Sequence, residues 1–224
     1  MFPSTVVMMG ATGAVGTQVV KALVERTGVT RLRLLGRREF TAIADPKIEQ
    51  QQVDVLDPES YRRYLPGAEA AVCTLGVGQP SKISRDQFLR IDRDAPRAFA
   101  AEVRQAGARH FVLLSSVGVD SSSRSFYLRS KGELEDALRD LRFERLSLVH
   151  PSMILTPTNR YGFSQALTLA IWPKLKPLLA GPLRKFRGIE VERLGRAMAL
   201  LLGCPGDSVE VLEWDEIVAV SGDG

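Results

Sequence analysis

The chain has 224 residues, 45% of them hydrophobic and 25% charged, with a formal net charge of +4. That balance belongs to a folded globular protein and excludes a disordered chain, a collagen-like repeat and a disulfide scaffold. The charge excess is spread along the sequence without the clustering that nucleic-acid binding requires, so no nucleic-acid partner is expected.

Short β-branched runs alternate with helical stretches. Thr5–Met9 reads as a first strand. Ala14–Arg26 reads as a helix with Val15, Val19, Ala22 and Leu23 on one face. Leu32–Leu35 and Gln50–Val53 are the next strands. Asp57 caps a short helix over Pro58–Tyr64, whose first position is a favourable proline. Ala70–Leu75 is an apolar fourth strand. Arg85–Ala106 is a long helix kinked at Pro96 and ended by Gly107. His110–Ser115 is strand five, Phe126–Leu141 a helix and Arg145–Val149 strand six. A proline-rich loop region runs from Pro151 to Pro182. A helix over Val191–Leu202 and a last strand over Ser208–Leu212 complete the chain. The alternation predicts an α/β fold, a doubly wound parallel sheet with helices on both faces. No linker interrupts it, so 1–224 is expected to form one domain: 1–155 as a core, 156–224 as a smaller region holding loop, helix and last strand.

The most apolar stretch, Leu167–Leu183, is broken by Pro173, Lys174, Lys176, Pro177 and Pro182. No integral membrane segment is expected there, although Trp172 and the lysines suit an interface. No basic region precedes the N-terminal apolar residues, as a signal peptide would require. Cys73 and Cys204 lie far apart in apolar stretches, which predicts buried thiols and a reducing, cytoplasmic setting. Neither they nor His110 and His150 have partners at metal-ligand spacing, so no metal is expected and both histidines read as structural.

Gly10-Ala11-Thr12-Gly13-Ala14-Val15-Gly16 joins the first strand to the first helix. Gly10 permits the tight turn, Gly13 lets backbone approach a pyrophosphate, and Gly16 lets the helix pack on the sheet. Free N–H groups at the helix start then hold the anion. A cofactor without a 2′-phosphate is usually held by an acidic residue at the end of strand two. This chain has Leu35-Gly36-Arg37-Arg38 instead, two guanidinium groups suited to a phosphate, which points to NADP(H). Asp54 is placed to approach the adenine edge, and the Gly76-Val77-Gly78 turn to pass close to the cofactor.

Tyr127 and Lys131 are four apart, on one face of a helix. A lysine ammonium near a phenol favours the phenolate, so the pair suits proton donation to a carbonyl oxygen. Ser115 and Ser116 lie at the carboxyl end of strand five, the edge where ligands of open α/β sheets bind.

With GATGAVG (10–16), LLGRR (34–38), FLRIDRDAPRAFA (88–100), HFVLLSS (110–116), YLRSKGELE (127–135) and HPSMIL (150–155), the chain resembles the short-chain dehydrogenase/reductase superfamily. The likeness is to its atypical branch, which holds the NmrA-like and HIV-Tat-interacting-oxidoreductase-like proteins. The resemblance implies a Rossmann-type fold binding NADP(H). It implies that Gly10, Thr12, Gly13, Ala14, Val15 and Gly16 line the pyrophosphate and that Arg37 and Arg38 take the 2′-phosphate. Asp54 and Val55 would flank the adenine, and Leu75 and Gly76 the ribose side. Tyr127 and Lys131 match the catalytic pair, with Lys131 also reaching the nicotinamide ribose. Ser116 matches the catalytic serine, with Ser115 left open. Pro151, Ser152 and Met153 would close over the nicotinamide. Relatives carry an Asn on the long helix where this chain has Asp92, which puts their proton relay in question.

The expected activity is NADPH-dependent reduction of a carbonyl, or of an activated double bond, in a small apolar substrate. The alternative is a non-catalytic NADP(H) sensor or scaffold acting through protein partners. Oligomeric state stays open, with a homodimer through the helices Arg85–Ala106 and Phe126–Leu141 implied by the resemblance.

Overall fold

The computed structural model describes residues 1–78, 82–156 and 181–222. Strand β1 (Thr5–Met9) leads through the glycine loop into helix α1 (Ala14–Val24). Next come β2 (Arg31–Gly36), β3 (Ile48–Gln52) and β4 (Ala70–Cys73), then α2 (Arg85–Leu89), a π-helical turn (Arg90–Asp94) and α3 (Ala95–Gln105). After β5 (His110–Leu114), α4 (Phe126–Asp140), β6 (Arg145–Val149) and β7 (Met153–Leu155), the chain continues with β8 (Gly188–Glu190), α5 (Val191–Leu201), β9 (Val209–Leu212) and α6 (Trp214–Ser221).

Seven strands form one sheet in the order β3-β2-β1-β4-β5-β6-β9, with every described pairing parallel. Strand side chains alternate between faces. Val6, Met8, Leu32, Leu34, Val72 and Val112 point to one face, where Val15, Val19 and Leu23 of α1, Leu194 and Met198 of α5 and Ile217 of α6 cover them. Val7, Met9, Ala71, Cys73, Phe111 and Leu113 point to the other, under Phe99 and Val103 of α3 and Leu134 and Leu138 of α4. Burial on both faces explains why the central strands β1, β4 and β5 read as nearly continuous apolar runs.

The doubly wound expectation holds, with corrections in detail. The helix expected over Pro58–Tyr64 is two short 3-10 turns, Pro58–Ser60 and Arg62–Tyr64, with Asp57 capping the first as expected. The long helix is divided by the π turn. Pro96 has no N–H to give the Asp92 carbonyl four residues back, so the ladder widens just before it. Cys204 is exposed, not buried. It lies past Gly203 in the turn after α5, beyond the last buried turn of that helix. The apolar positions of α3 and α4 face the sheet, and Arg93 of the π turn pairs with Glu133 of α4 at 2.8 Å. Two elements had no sequence signal. One is α6, whose cap is the atypical Glu213 with Glu216. The other is the β7–β8 pair, whose three-residue strands are far apart in sequence. The region 157–180, with most of the Leu167–Leu183 stretch, lies outside the described residues.

At the amino end of the sheet, Ser147 donates to Glu210 at 2.5 Å. That uses its one proton, so the 2.8 Å contact with His110 requires His110 Nε2–H to donate to Ser147. Burial, and then the charge of Arg145, push the His110 imidazole down to about 3. A group depressed in this way binds fewer protons folded than unfolded. Its stabilising contribution is complete above the unfolded value near 6.5 and is lost as pH falls toward 3. Urea unfolding between pH 7.5 and 4.5 is expected to show His110 costing up to about 1.4 kcal/mol per pH unit below about pH 6. The His110→Gln variant is expected to show a shallower slope. An unchanged slope would remove His110 from the acid response.

Candidate functional site

All parallel strands end at one edge, and the cleft lies there. Gly10 has φ +92°, a left-handed conformation open to glycine at little cost. A Cβ at Gly10 would lie 2.5 Å from Thr74, and a Cβ at Gly16 would overlap the Gly10 carbonyl. The loop therefore sits hard against both the end of β4 and the first turn of α1. Gly13 N–H donates to Gly10 O at 3.0 Å, and Thr17 Oγ1 donates to Gly13 O at 2.9 Å. No side chain caps α1, so its first N–H groups stay available for an anion.

The cleft beside this loop has a volume of about 440 Å³. Of the residues singled out from sequence, Gly10, Thr12, Gly13, Arg37, Arg38, Val55, Leu75 and Gly76 line it. Arg38 donates to Thr12 Oγ1 at 3.2 Å, joining the rim after β2 to the glycine loop. Ala14, Val15 and Gly16 lie behind, in the first turn of α1. Asp54 does not line the cleft. It faces a neighbouring concavity, and its carboxylate accepts Leu56 N–H at 2.9 Å. The consecutive Gln50, Gln51 and Gln52 at the end of β3, together with Glu39 and Phe40, complete the wall. Sequence reasoning passed over these glutamines, although three amides ending a strand at the ligand edge were a signal.

The second group of residues lies on α4. Ser125 caps this helix by accepting Leu128 N–H. Tyr127 is half-buried, with its ring centroid 5.8 Å from that of Phe88. One turn on, Lys131 is buried and pairs with Asp92 Oδ1 at 3.1 Å. Asp92 Oδ2 accepts Val77 N–H at 2.8 Å, so α4 is tied to the turn after β4. Burial pushes the Asp92 carboxyl up from the usual carboxylate range, against the opposing charge of Lys131. Asp92 therefore holds Lys131 directly. Lys131 also lies 3.5 Å from the Asp92 carbonyl in the widened turn. Cys73 is buried nearby, and burial pushes its thiol up to about 11, which marks it as packing rather than a reactive thiolate.

Ser115 and Ser116 separate clearly. Ser115 is buried and donates to Glu135 at 2.5 Å. Ser116 is half-buried at the strand end. Pro151 is buried two residues past β6, and Met153 starts β7.

The NAD(P)H-binding family matches residues 10–158. This chain belongs to that family. Protein HTATIP2 of Rattus norvegicus is 33% identical over 153 residues, 67% of this chain and 63% of the rat protein, so the match spans less than two thirds of that relative. Protein FMP52, mitochondrial, of Meyerozyma guilliermondii is 29% identical over 96% of this chain and 91% of its own. These relatives bear out the resemblance to the atypical short-chain dehydrogenase/reductase branch. Among solved structures, MoeE5 in complex with UDP-glucose and NAD aligns with a TM-score of 0.70 at 16% identity, covering 98% of this chain and 81% of that one. The Bordetella bronchiseptica enzyme WbmH in complex with NAD+ aligns at 0.69 and 15% identity, over 94% of this chain and 75% of that one. Such identities show the Rossmann-like fold alone.

The family's dinucleotide fits a loop whose glycine contacts leave no room for side chains. The Gly16→Ala variant is expected to force α1 off the loop, at a cost of about 1–3 kcal/mol. Fluorescence titration with NADPH is expected to show affinity falling by tenfold or more, about 1.4 kcal/mol. Unaltered affinity would show that the close contact does not shape the nucleotide site.

Proposed function

We propose that this NAD(P)H-binding, oxidoreductase-like chain is an NADPH-dependent reductase of a carbonyl, or of a comparable unsaturated group, in a small apolar substrate. One observation carries the reading: the Lys131–Asp92–Val77 contacts tie the Tyr127 face of α4 to Gly76, which lines the nucleotide cleft. In this reading the proton-donating and nucleotide-holding residues share one edge of one domain. Residues 1–155 hold the nucleotide, and 156–224 shape the substrate side.

In this reading Gly10, Thr12, Gly13, Ala14, Val15 and Gly16 receive the pyrophosphate at the uncapped start of α1. Arg37 and Arg38 take the 2′-phosphate through charge-assisted hydrogen bonds, and their two charges outweigh that of Glu39 on the same rim. Val55 and the three glutamines offer the adenine side, with Asp54 on its outer flank. Leu75 and Gly76 lie on the ribose side, and Pro151 and Met153 on the nicotinamide side. Bound NADPH supplies the hydride. Tyr127 donates the proton to the substrate oxygen, Lys131 stabilises the phenolate left behind and holds the ribose, and Ser116 orients the substrate oxygen. Asp92 keeps Lys131 in place.

Among the described residues, no helix is long and apolar enough to cross a membrane. The FMP52 relatives carry the label mitochondrial, so the cytoplasmic expectation is to be checked by imaging a tagged chain.

Purified protein is to be assayed with NADPH against quinones, aldehydes and ketones. The Tyr127→Phe variant is expected to lose about 10²–10⁴-fold in kcat while NADPH binding survives. Tight NADPH binding with no turnover across the panel would favour the sensor or scaffold reading. A separate measurement addresses the 2′-phosphate. NADP+ is expected to raise the thermal midpoint more than NAD+, and Arg37→Ala and Arg38→Ala to cost about 1.5–3 kcal/mol of NADP+ binding each. Equal shifts for the two nucleotides would refute the NADP(H) preference.

A further inference from the structure

Glu135 is nearly fully buried, with 2% of its surface exposed, and it takes no part in the chemistry above. It follows Tyr127 and Lys131 at the same four-residue interval, so the three share one face of α4. Its Oε1 accepts Ser115 Oγ–H at 2.5 Å and lies 2.7 Å from His150 Nε2. Its Oε2 pairs with Arg139 at 3.2 Å. Ser115 is the first residue past β5, and His150 the first past β6. Their successors are Ser116 and Pro151.

The two strand ends are joined again just beyond. Ser115 N–H donates to Val149 O at 2.8 Å, and Val117 N–H donates to Pro151 O at 3.1 Å. Ser116 thus lies between the Glu135 clamp and the Val117–Pro151 bond. A buried carboxylate costs free energy unless it is fully partnered, and this one has three donors from two strand ends and its own helix.

We propose that Glu135 is a positioning residue: it holds Ser115 and His150 to α4, and so sets where Ser116 and Pro151 lie relative to Tyr127 and Lys131. It also resolves the serine pair. The Ser115 hydroxyl is committed to Glu135, which leaves Ser116 for substrate. The inference rests on the reductase reading for its kinetic consequence but not for its geometry.

Both strand-end donors meet the same oxygen, which makes a sharp contrast between two variants. In Glu135→Gln one amide oxygen still accepts from Ser115 and His150, and only the Arg139 pair is lost. In Glu135→Leu both donors lose their acceptor. Crystal structures with NADP+ are expected to show Ser116 and Pro151 superimposing on wild type in the Gln variant and displaced by about 1 Å in the Leu variant. A misplacement of that size lowers kcat by about 10²-fold. The Leu variant is expected to show that loss with KM and NADPH affinity within about twofold of wild type, and the Gln variant to retain most of kcat. If the Leu variant does not fold, Ser115→Ala removes one strand from the clamp and is expected to displace Ser116 and lower kcat with NADPH affinity kept. Ser116 unmoved in the Leu or Ala variant overturns the proposal. So does a Gln variant as impaired as the Leu variant, because the charge rather than the clamp would then matter. If wild type turns over no member of the panel, the reductase reading fails and the variant structures alone decide the positioning role.

Discussion

The site depends on backbone packing too close for any side chain. Helix α1 meets the end of β1 through Gly16, whose Cβ would overlap the Gly10 carbonyl. On the same sheet face α5 meets α1 through Gly195, where a Cβ would overlap Gln18 and lie 2.9 Å from Val19 N. Helix α1 is therefore fixed by both the glycine loop and α5, its neighbour on the same sheet face, with its uncapped N–H groups at the ligand edge. Apolar burial alone stabilises many relative positions of a helix on a sheet, because it has no direction. Contacts between backbones select one.

Helix α4 applies the opposite device, long side chains at helical spacing. Tyr127, Lys131 and Glu135 lie one turn apart, and the last two reach buried partners on other elements. Lys131 meets Asp92 of the π turn, and Glu135 meets Ser115 and His150 past the strand ends. Buried ion pairs add little net stability, since desolvating two charges offsets their attraction. Their geometry is nonetheless narrow, as the proposed proton donor requires. The π turn belongs to the same arrangement. Pro96 removes a helical donor, the turn widens, and Asp92 presents both its carboxylate and its carbonyl to Lys131.

Much of this was legible in the sequence because it is local. The glycine loop, the Arg37–Arg38 pair, the cap at Asp57 and the Tyr127–Lys131 interval are each short patterns with a physical reason for their spacing. The doubly wound parallel architecture followed from the alternation of elements, while the strand order came from the structure. Where reading failed, the governing contact was distant or atypical. Cys204 looked buried from its apolar neighbours, yet the chain had already left the core at Gly203. Helix α6 starts from a glutamate cap, and β7 and β8 become strands only by meeting each other.

The sequence by itself determined the doubly wound sheet and the nucleotide loop, since residue periodicity and glycine placement dictate both within a few residues. It also presented Tyr127 and Lys131 together, because four residues make one helical turn. Only the tertiary structure decided that Asp92 pairs with Lys131, that Asp54 lies off the cleft, and that Ser115 serves Glu135 and leaves Ser116 free. Those outcomes join side chains 15 to 39 positions apart, or turn on which way a strand end faces. Such contacts exist only after the parallel strands have brought their carboxyl ends to one edge.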